Sequence, residues 1–132
     1  KYNLVIEDSL GNDRTKAIIE NPGFQFILVS FDMSRADAEG LKKAAILSDF
    51  LSKKGISMVL VTATGLKTAK RIEDQYRLKI PVFQADETDL KAMIRSNPGL
   101  LLLHNGVILK KWHYHDFPDS SQIDFFLISP TL

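Results

Sequence analysis

The sequence predicts an α/β fold in which helices cover both faces of one mixed β-sheet. Two observations predict it. Apolar runs of strand length alternate with amphipathic segments at helical spacing, which is typical of parallel strands joined by helices. Near the end of the chain, the pair Asn105-Gly106 separates two further strand-like runs. This pair predicts a two-residue hairpin that adds an antiparallel edge to the sheet.

The first half of the chain supplies the opening elements of this fold. We predict a strand over residues 2–7, a short helix over residues 15–20 and a buried strand over residues 24–31. A long helix follows and continues to about residue 54. Ser34 and Asp37 are both suitable N-caps for that helix, and Gly55 ends it.

The second half repeats the alternation. Residues 56–62 and 81–85 predict strands, residues 65–78 and 88–95 predict helices, and residues 122–128 predict a closing helix. Pro98 has no backbone N–H, so the first hairpin strand can begin only after it. We find no repeat and no linker, and therefore expect residues 1–132 to form one domain.

Composition excludes several classes of function. The 132 residues include 17 basic and 16 acidic side chains without a basic stripe, which argues against a nucleic-acid partner. The chain has no cysteine, which excludes disulfides, thiolate nucleophiles and cysteine zinc sites. No apolar run approaches the roughly 20 residues that a membrane-spanning helix needs.

Three segments carry a family resemblance: "NLVIEDSLGND…FILVSF", "QYRLKIPVF" and "NPGLLLLHNGVILKKW". Their order and spacing resemble the thioredoxin fold, and more closely its TlpA/ResA-like and peroxiredoxin-like branch. The resemblance implies a three-layer α/β/α sandwich with a mixed central sheet and an N-terminal strand extension. It also implies a cis peptide bond between Asn97 and Pro98, just before the terminal hairpin.

The redox motif of that family is missing. Its members carry C-x-x-C at the start of the helix after the first core strand. Aligning Phe31 with the phenylalanine that precedes this motif places Ala36 and Glu39 where the cysteines would be. Because thiol–disulfide exchange and cysteine-based peroxide reduction need a thiolate, we expect this chain to perform neither.

The resemblance also implies a substrate groove between the proline loop and the start of the long helix. We expect it to be lined by Phe31, Asp32, Met33, Ser34, Asn97, Pro98 and His113, with Trp112 nearby. Counting from the two-residue hairpin loop pairs His104 with Val107 and places His113 opposite Pro98.

Non-thiol chemistry has weaker signals. His113 and His115 would share one face of a strand, and His-x-His can begin a metal site. His104 lies at the far end of the hairpin, which rules out a three-histidine site within one chain. We therefore expect no metal and no cofactor. Asp32 and His113 could form an acid–base pair, whereas Ser34 is better explained as a cap than as a nucleophile.

These observations favour a redox-inactive module that binds a protein or peptide, or acts as a scaffold, over an enzyme. Two alternatives stay open: a non-thiol enzyme using Asp32 and His113, and a subunit of a thiol–disulfide system whose partner supplies the cysteines. The chain also resembles the soluble C-terminal domain of bacterial DoxX-type membrane proteins. Since it begins at Lys1, we interpret it as a fragment joined to an upstream membrane domain, on an undetermined side of the membrane and in an undetermined oligomeric state.

Overall fold

The computed structural model describes residues 4–128, in which five strands form one mixed sheet with the order β3-β2-β1-β4-β5. The strands are β1 (Phe24–Ser30), β2 (Ser57–Thr62), β3 (Val82–Gln84), β4 (Gly99–His104) and β5 (Val107–His113). The first three are parallel, β4 runs antiparallel to β1, and β5 runs antiparallel to β4. The predicted mixed sheet with an antiparallel hairpin edge is confirmed.

Helices lie on both faces of this sheet, as predicted. They are α1 (Thr15–Ile19), α2 (Ala38–Lys53), α3 (Leu66–Tyr76), α4 (Glu87–Met93) and α5 (Ser120–Ile128). Two short 3₁₀ turns, Met33–Arg35 and Tyr114–Asp116, follow β1 and β5. Each predicted helix is present, and the bounds differ from the predicted ones by at most a few residues.

The hydrophobic core has two parts, one on each face of the sheet. Phe26 and Leu28 of β1 pack on the face covered by α2, α3 and α5. Ile27 and Val29 point to the opposite face, which is covered by residues 4–6, α1 and α4. Because successive side chains of a strand alternate between faces, a strand buried on both faces needs a continuous apolar run. This explains the unbroken apolar runs in the sequence.

The described part of the predicted N-terminal strand forms two isolated bridges, in which Glu7 pairs with Asp13 and with Gln84. Tyr2 and Asn3 lie outside the described residues. Glu7 pairs with Gln84 at the outer edge of β3 through N–H···O bonds of 2.8 and 2.9 Å. The ladder with β3 stops at Glu7 because the chain turns at Asp8, whose N–H and carbonyl bond to Asn12 and Gly11. This segment caps the β3 edge instead of extending the sheet.

The hairpin register differs from the predicted one by one residue. His104 pairs with Val107 as expected, but Leu102 pairs with Lys110, which leaves Leu109 as the extra residue of a β-bulge. His113 consequently lies opposite Gly99, and the prediction that it faces Pro98 was wrong. The bulge places Trp112 opposite Leu100, where its ring joins the core; an unbroken ladder would place Lys111 there.

One carboxylic acid is buried in this fold. Glu73 of α3 is 5% exposed, and its Oε2 atom has no hydrogen-bond partner. Burial raises the pKa of Glu73 to about 7, although Lys70 and the N–H of Ile80 oppose the shift. The folded chain therefore favours the protonated acid.

This raised pKa predicts a pH-dependent loss of stability. Below pH 4.5, Glu73 is protonated in both the folded and the unfolded chain and costs nothing. As pH rises towards 7, the unfolded chain ionises first, so the folded state loses stability relative to it. We expect Glu73→Gln to be more stable than the wild type by about 1–3 kcal/mol at pH 8 and equally stable near pH 4.

Urea unfolding at both pH values measures this difference. Glu20→Gln, at an exposed glutamate, is the matched control and should show no such pH dependence. A Glu73→Gln effect of the same size at both pH values would contradict the assignment.

Candidate functional site

Two loops meet at the carboxyl end of β1, and Asn97 joins them. Its carbonyl accepts the N–H of Asp37 at 2.9 Å. Its side-chain Nδ2 donates to the carbonyl of Asp32 at 2.8 Å, and its Oδ1 accepts the hydroxyl of Ser30 at 2.6 Å. The bond between Asn97 and Pro98 is in the cis form. Three hydrogen bonds of Asn97 thus fix the proline loop to the end of β1 and the start of α2.

Two aspartates shape the segment between β1 and α2. The Asp32 carboxylate accepts the N–H of Ser34 at 3.0 Å and caps the first 3₁₀ turn. The Asp37 carboxylate accepts the N–H of Gly40 at 2.9 Å and caps α2. Asp37 is therefore the cap of the long helix, and Ser34 is exposed within the preceding turn. An aspartate at these positions satisfies N–H groups that have no partner in the first turn of a helix.

Pro98 is buried against the first turn of α2. A Cβ atom at Gly40 would lie 2.9 Å from Pro98 Cδ and 2.8 Å from Tyr114 Cβ, so only glycine lets the helix approach this closely. Ser96 fixes the other side of the loop, because its hydroxyl donates to the Pro98 carbonyl at 2.6 Å and accepts the N–H of Tyr114 at 3.0 Å. The role of Gly40 was not predicted from the sequence. The signal that could have indicated it is a glycine inside the first turn of a helix.

Among residues 4–128, the residues aligned with the family's cysteines make no hydrogen bond to this loop. Ala36 ends the 3₁₀ turn, and the exposed Glu39 pairs with Lys42 at 3.2 Å. Asp37, the cap of α2, and Gly40 in its first turn do contact the loop. Each lies one position after one of the aligned residues, so the two pairs have the same spacing of three. Neither residue carries a thiol.

The structure brings together only part of the predicted groove. Asp32 and Asn97 are half-buried and hydrogen-bonded to each other, with Pro98 beneath them. Met33 is 2% exposed and belongs to the core on the α2 face. Phe31 packs on the opposite face, with Lys91 Nζ 5.0 Å from the centre of its ring. Phe31 continues the in–out alternation of β1 and shares its face with Ile27 and Val29. Met33 lies in the 3₁₀ turn after the strand, and this turn directs its side chain to the other face.

The predicted histidine pair is divided between the end of a strand, which holds His113, and the turn after it, which holds His115. β5 ends at His113, and Tyr114–Asp116 form the second 3₁₀ turn. The rings of His113, Tyr114 and His115 cluster with centroids 4.3 to 4.7 Å apart, and His113 Nδ1 accepts the N–H of His115 at 3.2 Å. Both histidines are exposed.

The described residues do not assemble a catalytic pair or a metal centre. The Asp32 carboxylate bonds to its own turn, and no hydrogen bond joins it to His113 among residues 4–128. Within the same range, no three histidine, aspartate or glutamate side chains lie close enough together to hold a metal ion. The site therefore offers hydrogen-bonding groups and aromatic rings, and its described residues form no acid–base pair.

The close packing at Gly40 predicts a specific cost. We expect Gly40→Ala to lower the free energy of unfolding by about 1–3 kcal/mol, because the added methyl group collides with Pro98 and Tyr114. This loss outweighs the gain of about 1 kcal/mol that alanine brings to a helix.

Urea or thermal unfolding measures the change. Gly65→Ala is the matched control, since a Cβ atom at Gly65 meets nothing within 4 Å, and it should change stability far less. Equal effects of the two variants would show that the contact with Pro98 does not limit the packing.

Solved structures share this architecture. A putative thioredoxin from Neisseria meningitidis matches with a TM-score of 0.62 and 17% identity, covering 92% of this chain and 83% of that one. A putative protein disulfide isomerase from Bacteroides thetaiotaomicron matches with a TM-score of 0.69 and 11% identity, covering 94% and 81%. MTB dsbF matches with a TM-score of 0.68 and 9% identity, covering 96% and 94%.

Sequence comparison adds no closer relative. No family model matches the chain, and no curated protein matches it. At identities this low, the structural likeness establishes the fold and leaves the activity to the residues of the site. The sheet order, the helices on both faces and the likeness to these structures agree with the predicted architecture: the chain has the thioredoxin-like fold, and it has no cysteine.

Proposed function

We propose that this chain is a redox-inactive thioredoxin-like module that binds an extended segment of a partner protein beside the loop formed by Asn97 and Pro98, and thereby serves as a scaffold. The observation that carries the proposal is the backbone of Asn97. The backbone N–H of Asn97 has no hydrogen-bond partner in the described part of the chain. Asn97 itself is half-buried and not fully exposed. An ordered, unpaired backbone donor is what an added strand pairs with.

The acceptor side of Asn97 supports the same interpretation. Its carbonyl oxygen accepts one bond, from Asp37, and a carbonyl oxygen has two lone pairs. The side-chain bonds to Ser30 and Asp32 hold this peptide unit in place before any partner arrives. Because the loop is already ordered, binding costs less conformational entropy than it would in a mobile loop.

His113 gives the surface an aromatic side. It is exposed, it ends β5 opposite Gly99, and its ring lies 4.4 Å from that of Tyr114. Aromatic rings of this kind contribute contact area at small entropic cost. The side chain of a segment bound beside Asn97 would pack against them.

Binding can be tested with peptides selected from a displayed random library against the purified domain. We expect selected peptides to shift the amide signals of Asn97, Asp32 and His113 in ¹H–¹⁵N spectra. His113→Ala should weaken their binding about fivefold, since truncating a contributing interface residue costs more than about 1 kcal/mol.

His104→Ala is the control, because this histidine lies at the opposite end of β4 and should leave the affinity unchanged. Peptides that shift other regions, or a selection that yields no binder, would contradict the proposal. Selected peptides, or a natural partner, carrying C-x-x-C would instead favour a subunit of a thiol–disulfide system.

We further propose that the domain is joined to a membrane-embedded bacterial protein. The support is the resemblance to the C-terminal domain of DoxX-type proteins. Within residues 4–128, no helix has the length and apolar character needed to cross a bilayer, so an anchor would have to lie elsewhere in the parent chain. We expect the coding sequence upstream of Lys1 to specify apolar helices of about 20 residues each. Sequencing the gene tests this, and an upstream region without such helices would refute the attachment.

A further inference from the structure

A surface depression borders the turn between β1 and α2. It lies between the first 3₁₀ turn and α3 and has a volume of about 280 Å³. Met33, Leu41 and Ile72 form its apolar floor, and each is buried. Ser34, Arg71 and Gln75 contribute polar groups to its rim. The volume suits one amino-acid side chain, since whole ligand pockets typically begin at about 300 Å³.

The positive charge of Arg71 in this pocket is not neutralised by an acidic side chain of the described residues. Among residues 4–128, the Arg71 guanidinium makes no ion pair and no hydrogen bond, and the Gln75 amide makes no hydrogen bond either. No aspartate or glutamate lines the pocket. Arg71 is charged at every physiological pH, and its planar guanidinium matches a carboxylate in a two-point contact.

We propose that this pocket binds the carboxylate of an aspartate or glutamate side chain in the partner segment. The inference rests on the proposed function, because it assigns a residue preference to the same binding event. Arg71 would pair with the carboxylate and Gln75 and Ser34 would donate further hydrogen bonds. The apolar floor would contact the aliphatic part of the side chain.

The position of the pocket connects it to Asn97. Ser34 lies two residues after Asp32, whose carbonyl accepts the Asn97 amide, and both belong to the turn between β1 and α2. One extended segment can therefore reach both places if its acidic residue lies a few positions from the part that pairs with Asn97. An extended chain advances about 3.3 Å per residue.

The experiment compares two blocked single-residue probes, N-acetyl-glutamate N-methylamide and its glutamine counterpart, by ¹H–¹⁵N titration. We expect the glutamate probe to shift the Arg71 and Gln75 side-chain signals and the glutamine probe to bind about tenfold more weakly, as for the loss of one charged hydrogen-bonded pair. Arg71→Gln should abolish this preference. Lys67→Gln removes the same charge from an exposed position of α3 outside the pocket and should keep it.

Free glutarate distinguishes a small acid from a protein side chain. If glutarate binds at Arg71 and acidic library peptides do not, the pocket serves a free acid and the proposal is overturned. Equal binding of both probes, or a preference that survives Arg71→Gln, also overturns it.

Peptides that shift Asn97 without an acidic preference would leave the proposed function intact and refute only this inference. Probe binding at Arg71 without any peptide shift at Asn97 would refute the proposed function and, with it, the assignment of both places to one partner segment; the acidic preference of the pocket alone would remain.

Discussion

Asn97 joins the proline loop to the segment between β1 and α2, which lies far from it in the sequence. Its amide bonds to Ser30 and Asp32, which precede it by 67 and 65 residues, and its carbonyl accepts the N–H of Asp37. Ser30 is fully buried, so its hydroxyl has no water to replace this partner. The place of the proline loop, of the turn before α2 and of the start of α2 depends on this one side chain and its carbonyl.

The start of α2 keeps the packing of the fold without its thiols. Gly40 lies against Pro98 and Tyr114, and Asp37 caps the helix while bonding to the loop. The proteins that resemble this chain in structure include a putative thioredoxin and a putative disulfide isomerase. The chemistry that such names denote requires a thiolate, and no residue of this chain can provide one. A function for this surface must therefore come from hydrogen bonding, shape and charge.

Both edges of the sheet are protected by residues that lie next to them. The β3 edge is covered by the bridge from Glu7, and β5 forms the other edge within the described residues. The two lysines of β5 lie beside this edge on opposite faces of the sheet: Lys110 Nζ lies 5.7 Å from the ring centre of Phe126, and Lys111 Nζ donates to the Met93 carbonyl at 3.0 Å. Together with the bulge at Leu109, these charges discourage further strand pairing at the edge.

Local patterns in the sequence determined the order and type of the elements, because hydrophobic periodicity, caps and the Asn105-Gly106 turn act over a few residues. They also determined what the chain cannot do, since a missing cysteine is a property of composition. Tertiary structure decided the rest. The bulge at Leu109 follows from the need to bury Trp112, and the roles of Asn97 and Gly40 follow from contacts with residues that are far away in the sequence. Such contacts are set by how whole elements pack, and no local pattern in one sequence encodes them.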